Sequence, residues 1–275
     1  MTTPLRTERP PSAAARAVRR ILHALGSLGG VVVVLLLCEL LIRVGVLPGR
    51  FLPPPSVVLL TLATELTTPA PWLAMLDTLR GWAFGLGIAT AIALPLGLLL
   101  GSNELAYRAL RPVIEFLRPV PSVALVPLVF LLFSYDLGDG KIFLAAFAST
   151  WPLLVQTIYG VRNVLPVQID TARSFHIPSF DVATRVVLPS AIPFIATGFR
   201  IASTVSLILV LTGEIVINAG GVGEAINAAR EGSQVALMYA YVILAGLLGI
   251  LINLVFRAIE HRALHWHPSH RVVAA

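Results

Sequence analysis

The sequence predicts an all-α integral membrane protein with about six crossing helices. Three observations carry that reading. Of 275 residues, 57% are hydrophobic and 12% charged, with mean hydropathy +0.87. Apolar runs close to the ~20 residues that a bilayer-crossing helix needs recur along the chain. No alternating strand pattern and no short-period repeat interrupts them. A soluble domain carries about 25% charged residues, so that class is excluded.

The elements follow in order. Residues 1–26 are a basic, Pro- and Arg-rich tail, too long for a secretory signal and expected to be disordered. The first span is placed at 27–46, where Glu39 and Arg43 stand i,i+4 apart and can pair on one face. Residues 51–69 are only moderately apolar and Pro-bounded, which suits a short helix at the interface. Spans at 81–101, 119–135 and 142–161 contain no charged residue, and Leu137-Gly138-Asp139-Gly140 reads as a turn between the last two. A span at 193–216 includes Arg200 near its start and Glu214 near its end, and one at 232–256 is free of charge. Between them, 219–234 opens with glycines and continues with helix formers, predicting a turn into a short outer helix. The membrane domain thus covers 27–265, followed by a tail at 266–275.

Charge orients this arrangement. Lys and Arg total 20 against 14 Asp and Glu, a net +6. With the N-terminus inside, the inner segments hold Arg6, Arg9, Arg16, Arg19, Arg20, Arg108, Arg111, Arg118, Arg162, Arg173, Arg185, Arg257, Arg262 and Arg271. The outer segments hold Arg50, Lys141 and Arg230. The positive-inside rule then puts both termini in the cytoplasm of a multi-pass cell-membrane protein. The partner implied by the charge is lipid, not nucleic acid.

Several chemistries are missing. Cys38 is the sole cysteine, which excludes disulfides and cysteine metal clusters. A G-x-x-x-x-G-K phosphate loop ending at the sole lysine, Lys141, would need its first glycine at Tyr135. The glycines at 220–223 follow no strand and are not a dinucleotide fingerprint. His261 and His265 have metal-ligand spacing, but Pro268 keeps His267 and His270 off the same face, so these histidines read as a solvated tail and no metal is expected. No catalytic arrangement falls within one compartment, so the chain is not read as an enzyme.

One inner segment carries a stronger signal. In residues 163–189, Pro166 can start a helix that Gln168 to Phe175 continue, Pro178 disfavours α-geometry at Ile177, and Ser179 can cap a second helix through Phe180 to Leu188. The result is a bent helical pair with Asp170 at one end, Ala172 and Ser174 between, and Phe175, Ile177 and Phe180 at the turn. It suits either a groove on a cytoplasmic partner or an amphipathic rest on lipid headgroups.

Here the sequence resembles a known family. Residues 170–189, DTARSFHIPSFDVATRVVLP, resemble the EAA loop of ABC-importer permeases, with Asp170, Thr171 and Ala172 on the E-A-A positions, His176 on the glycine, and Leu188-Pro189 on the closing L-P. The stretches LPPPSVVLLTL (52–62), LRPVPSVALVPL (117–128), RVVLPSAIPFIATGFRIA (185–202) and the glycine-rich GGVGEAI resemble the nitrate, sulfonate, taurine and bicarbonate branch. The resemblance covers about residues 50–265. It implies a type I importer in which two permease copies form the pathway, a cytoplasmic ATPase dimer binds ATP and Mg, and an external binding protein delivers a small solute. The coupling residues it implies are Asp170, Thr171, Ala172, Ser174, Phe175, His176, Phe180, Leu188 and Pro189. His176 must then accept positive φ at a cost of ~1 kcal/mol.

Glu214 with Gly221 and Gly223 is a candidate outer gate or binding-protein contact; the alternative is a carboxylate capping nearby loop amides. Arg200 reads as a packing or snorkelling residue. Two other functions remain consistent with the residues: an ion-coupled secondary transporter with Glu39 and Glu214 as proton sites, and an importer of thiamine-precursor pyrimidines.

Overall fold

A computed structural model describes residues 29–133 and 137–263; the two predicted tails, with His265, His267 and His270, lie outside the described residues. Every regular element is helical. In chain order these are α1 (29–43), α2 (Pro55–Glu65), α3 (Ala70–Ser102), α4 (Glu104–Leu117), α5 (Val126–Leu132), α6 (Leu137–Arg162), α7 (Pro166–Ser174), α8 (Ser179–Val182), α9 (Leu188–Ile217), α10 (Gly221–Glu231) and α11 (Val235–Ala263). Four are long and apolar enough to cross a membrane, α3, α6, α9 and α11, or five crossings if α4 and the bent segment after it count as one. Contacts divide the chain after Leu60 into two units.

In the first unit, the expected pair forms: Arg43 Nε donates to Glu39 Oε1 at 2.6 Å, and the Ser56 N–H and hydroxyl donate to the same carboxylate. Ser56 lies in the first turn of α2, so the ion pair joins the end of α1 to the start of α2.

In the second unit, α3, α6 and α9 pack side by side and make the core. Lipid tails are as apolar as leucine, so helices in a bilayer associate by close backbone approach rather than by hiding grease from water. At Gly85 a Cβ would lie 2.6 Å from that of Ala145, and at Gly97 one would lie 2.6 Å from that of Thr157. Leu86, Ala93, Leu100, Leu153, Leu154 and Ala202 fill the space these contacts leave. Trp82 ties three helices: its indole N–H donates to the Ser203 carbonyl, its own carbonyl accepts from Ser206, and its ring meets Phe256 edge-on. Arg200 joins α9 to α11, its Nη1 lying 3.3 Å from Glu260 Oε2. The outward faces are apolar, as with Ile250, Leu251 and Leu254 on α11, which suits lipid contact.

Three expectations are corrected. The region predicted as one span at 119–135 is a short 3-10 turn (Ser122–Leu125) followed by α5, and it bends 82° from α4. Pro119, Pro121 and Pro127 remove three amide donors, and Pro121 itself is extended, with ψ +115°, so the helix breaks there and restarts at Val126 with Pro127 in its first turn. The Leu137-Gly138-Asp139-Gly140 turn is the first turn of α6. Gly140 serves approach, not reversal: a Cβ there would sit 2.4 Å from Val129 Cγ1. Finally, α3 begins at Ala70, before the predicted 81, and so carries Asp77 and Arg80 within a spanning helix.

Candidate functional site

Two constellations stand out at the helix ends. The first is the bend between α6 and α9. Pro166 occupies the first turn of α7, where its missing N–H has no partner to lose. The helix stops in a Schellman motif: the Ile177 N–H donates to the Ala172 carbonyl at 3.1 Å and the His176 N–H to Arg173 at 2.9 Å. His176 is the left-handed residue of that motif, with φ +55°, in the position that usually holds glycine. Pro178 is the N-cap of α8, so Ser179 is its first helical residue and not the cap predicted for it. A π turn, Ala183–Val187, then leads into α9, with the Leu188 N–H reaching back to Ala183. Pro189 has no N–H for the Arg185 carbonyl, which favours the wider turn. Leu188 and Pro189 therefore open the long helix.

The side chains divide by role. Ala172 is buried and anchors α7, while Phe175 and Phe180 are 76% and 77% exposed on the outside of the bend. Thr171 and Ser174 spend their hydroxyls on the Val167 and Asp170 carbonyls within the helix. Asp170 is exposed and lies 3.8 Å from Arg173. Because the stop depends on a left-handed residue, His176→Val should strain it by ~1–2 kcal/mol and His176→Gly should not. Hydrogen exchange should then show the Phe175, His176 and Ile177 amides opening roughly tenfold faster in the valine variant alone. Equal protection in both variants would remove the strain argument.

The second constellation is ionic and buried. Glu214 on α9 has 0% side-chain exposure and Lys141 on α6 has 2%, and they pair at 2.9 Å. Lys141 Nζ also lies 2.7 Å from Asp77 Oδ2 on α3, a carboxylate 41% exposed. The second oxygen of Glu214 accepts from the Thr78 hydroxyl and from the Gly223 N–H, both at 2.9 Å, and the Val222 N–H donates to Thr78 Oγ1. The first amides of α10 have no partner within their own helix, and here a hydroxyl and a carboxylate supply them. The glycines make room for this. Gly221 has φ +82°, and a Cβ there would fall 2.1 Å from Glu214 Oε1. At Gly223 a Cβ would fall 2.6 Å from Glu214 Cβ.

Of the predicted residues, the structure thus brings Glu214, Gly221 and Gly223 together, with the carboxylate turned inward to cap an amide and not toward a surface. Lys141, expected in an outer loop, is their central partner, and Asp77 and Thr78 went unnoticed. A signal existed: Asp77, Lys141 and Glu214 each lie near one end of a long apolar helix, and charges in membrane spans pair with one another. Among the described residues no cluster of three metal-ligating side chains occurs.

Residues 93–264 match the family described as binding-protein-dependent transport system inner membrane component. The taurine transport system permease protein TauC of Escherichia coli is 30% identical over 226 residues, covering 79% of this chain and 80% of TauC. The nitrate import permease protein NrtB of Leptolyngbya laminosa is 30% identical over 188 residues, covering 68% of this chain and 67% of NrtB. Among solved structures, the MetNI methionine ABC transporter in an inward-facing conformation aligns with TM-score 0.62 at 18% identity, covering 70% of this chain and 97% of that one. At that identity the likeness is one of fold.

Proposed function

Because this chain belongs to the family of binding-protein-dependent transport system inner membrane components, in which ATP is hydrolysed by a separate subunit, we propose that it forms, as a pair of copies, the translocation pathway of an ATP-driven importer for a small anion. Taurine, an aliphatic sulfonate, nitrate and bicarbonate are the solutes in view, the first and third being those for which the two similar permeases are named. Six crossings are proposed, by α1, the α4–α5 bend, α3, α6, α9 and α11, with both termini and the α7–α8 bend in the cytoplasm. There the bend, with Asp170, Thr171, Ala172 and Ser174 behind it, docks on the ATPase, and an external binding protein meets the opposite face near α10.

The observation that carries this reading is the pair of exposed phenylalanines, Phe175 and Phe180, on a bend held by the Schellman stop at Ile177 and by Pro178. Large apolar groups presented on a rigid turn are what a groove on a partner selects. ATPase closure can then rock the long helices by pulling on the π turn that continues into α9, provided that ATP binding favours one state over the other.

Ion-coupled transport through Glu39 and Glu214 has less support, since both carboxylates are held by cations and hydrogen bonds. Proteoliposomes separate the two. Uptake of labelled taurine should require the permease, its ATPase, the binding protein and internal ATP together. Uptake by the permease alone that follows a proton gradient would overturn the importer reading, and uptake of a labelled pyrimidine in place of taurine would move the solute class.

A further inference from the structure

The α4 end of the bundle holds a feature that neither constellation uses. A cavity of about 370 Å³ opens between α4 and the last turns of α6. Tyr107, Tyr159, Val155 and Ile158 line it, together with Arg111, Arg118 and Arg162 and a single carboxylate, Glu115. We infer that this cleft binds an amphipathic oxyanion, a sulfonate, phosphate or carboxylate head on a short apolar body.

The charge balance selects the head. Arg111 Nε donates to Glu115 at 2.7 Å, which uses one of its five donors. Arg162 pairs with Glu104 and lays its guanidinium 4.3 Å from the centre of the Tyr107 ring. Glu104 is shared with Arg108 as well. Arg118 has no ion pair among the described residues. Four guanidinium groups thus face two carboxylates, and planar guanidinium forks match the oxygens of sulfonate, phosphate and carboxylate groups. A bare inorganic anion would leave Val155, Ile158 and Tyr159 unused. The volume lies in the range of small-ligand pockets, about 300–1,000 Å³.

Location gives the cleft a consequence. Arg162 is the last residue of α6 and Asn163, also on the wall, is the first of the segment leading to the α7–α8 bend. An anion held here touches the root of that segment. That the anion arrives from the cytoplasm rests on the importer reading; binding itself does not. The head group has two sources, a soluble anion, including the solute on its way out, and an anionic phospholipid.

The test uses the full chain in nanodiscs of phosphatidylcholine, without ATPase or binding protein. Hexanesulfonate is titrated calorimetrically, and retention of added phosphatidylglycerol is followed by native mass spectrometry. Arg118→Gln is the probe, Arg230→Gln on α10 the control, and a melting curve verifies that each variant is folded. Saturable hexanesulfonate binding that Arg118→Gln weakens about tenfold and Arg230→Gln leaves alone establishes the cleft with a soluble ligand. Phosphatidylglycerol retained by the native chain and lost in Arg118→Gln, with no sulfonate binding, establishes it with a lipid. Absence of both, or binding that Arg118→Gln does not change, overturns the inference. Since no ATPase is present, that failure leaves the importer reading standing, and a failed transport assay leaves the cleft standing.

Discussion

Solubilised permease carrying Phe175→Asp and Phe180→Asp is expected to lose its ATPase on co-purification, while native permease retains it. Both rings are mostly exposed, so the substitutions remove nothing from the packed interior. The Schellman stop and the buried Ala172 that shape the bend are left in place. Truncating a central apolar anchor of an interface costs about 2 kcal/mol or more, close to 30-fold in affinity, and a buried carboxylate in its place costs further. Two such losses bring even a nanomolar complex near micromolar, below what survives washing. Membrane insertion and pairing of the two copies should be unchanged, because neither depends on the bend. Normal ATPase recovery with the double variant would remove the docking role, and with it the main structural support for ATP coupling through this segment.

How far these features were legible in the sequence depends on whether the signal was local. The α7–α8 bend was readable because each step is set by a residue with few options: Pro166 starts, His176 in the glycine position turns, and Pro178 forbids continuation. The signal for α4 is equally local. Asn103 caps it through the Ala106 N–H, and Glu104–Arg108 and Arg111–Glu115 are i,i+4 pairs along it. Its arginines read equally as loop charge and as one helical face, and only the i,i+4 partners Glu104 and Glu115 distinguish the two. The prolines at 119, 121 and 127 were visible too, but an apolar run without charge outweighed them in placing a span. The ionic cluster differs in kind. Asp77, Lys141 and Glu214 are 64 and 73 residues apart in successive pairs through Lys141, and only packing of α3, α6 and α9 reveals that one lysine serves two carboxylates. No window of sequence contains that information.

Lys141→Met should be the most damaging single change in the membrane core. Methionine keeps most of the stem that packs beside Gly81 and Gly213, so the loss is chiefly of charge. It leaves Glu214, which has no exposure, without its cation and held by one hydroxyl and one amide. Removing one partner of a buried ion pair costs about 3–5 kcal/mol, which for a chain of this size lowers the melting midpoint on the order of 10 °C. Glu214→Gln should cost less, because Lys141 keeps Asp77, whose carboxylate is partly open to its surroundings, and the amide oxygen can still accept from Gly223. The double variant Lys141→Met with Glu214→Gln should then be more stable than Lys141→Met alone, since the stranded charge is gone. That non-additivity, read from melting midpoints of the purified protein, is the signature of a stabilising pair. Effects that simply add would mean that Lys141 acts through packing and not through Glu214. The same variants bear on α10, whose first amides rest on Glu214 and Thr78: if the pair holds them, hydrogen exchange at Val222 and Gly223 should quicken in Lys141→Met and recover in the double variant.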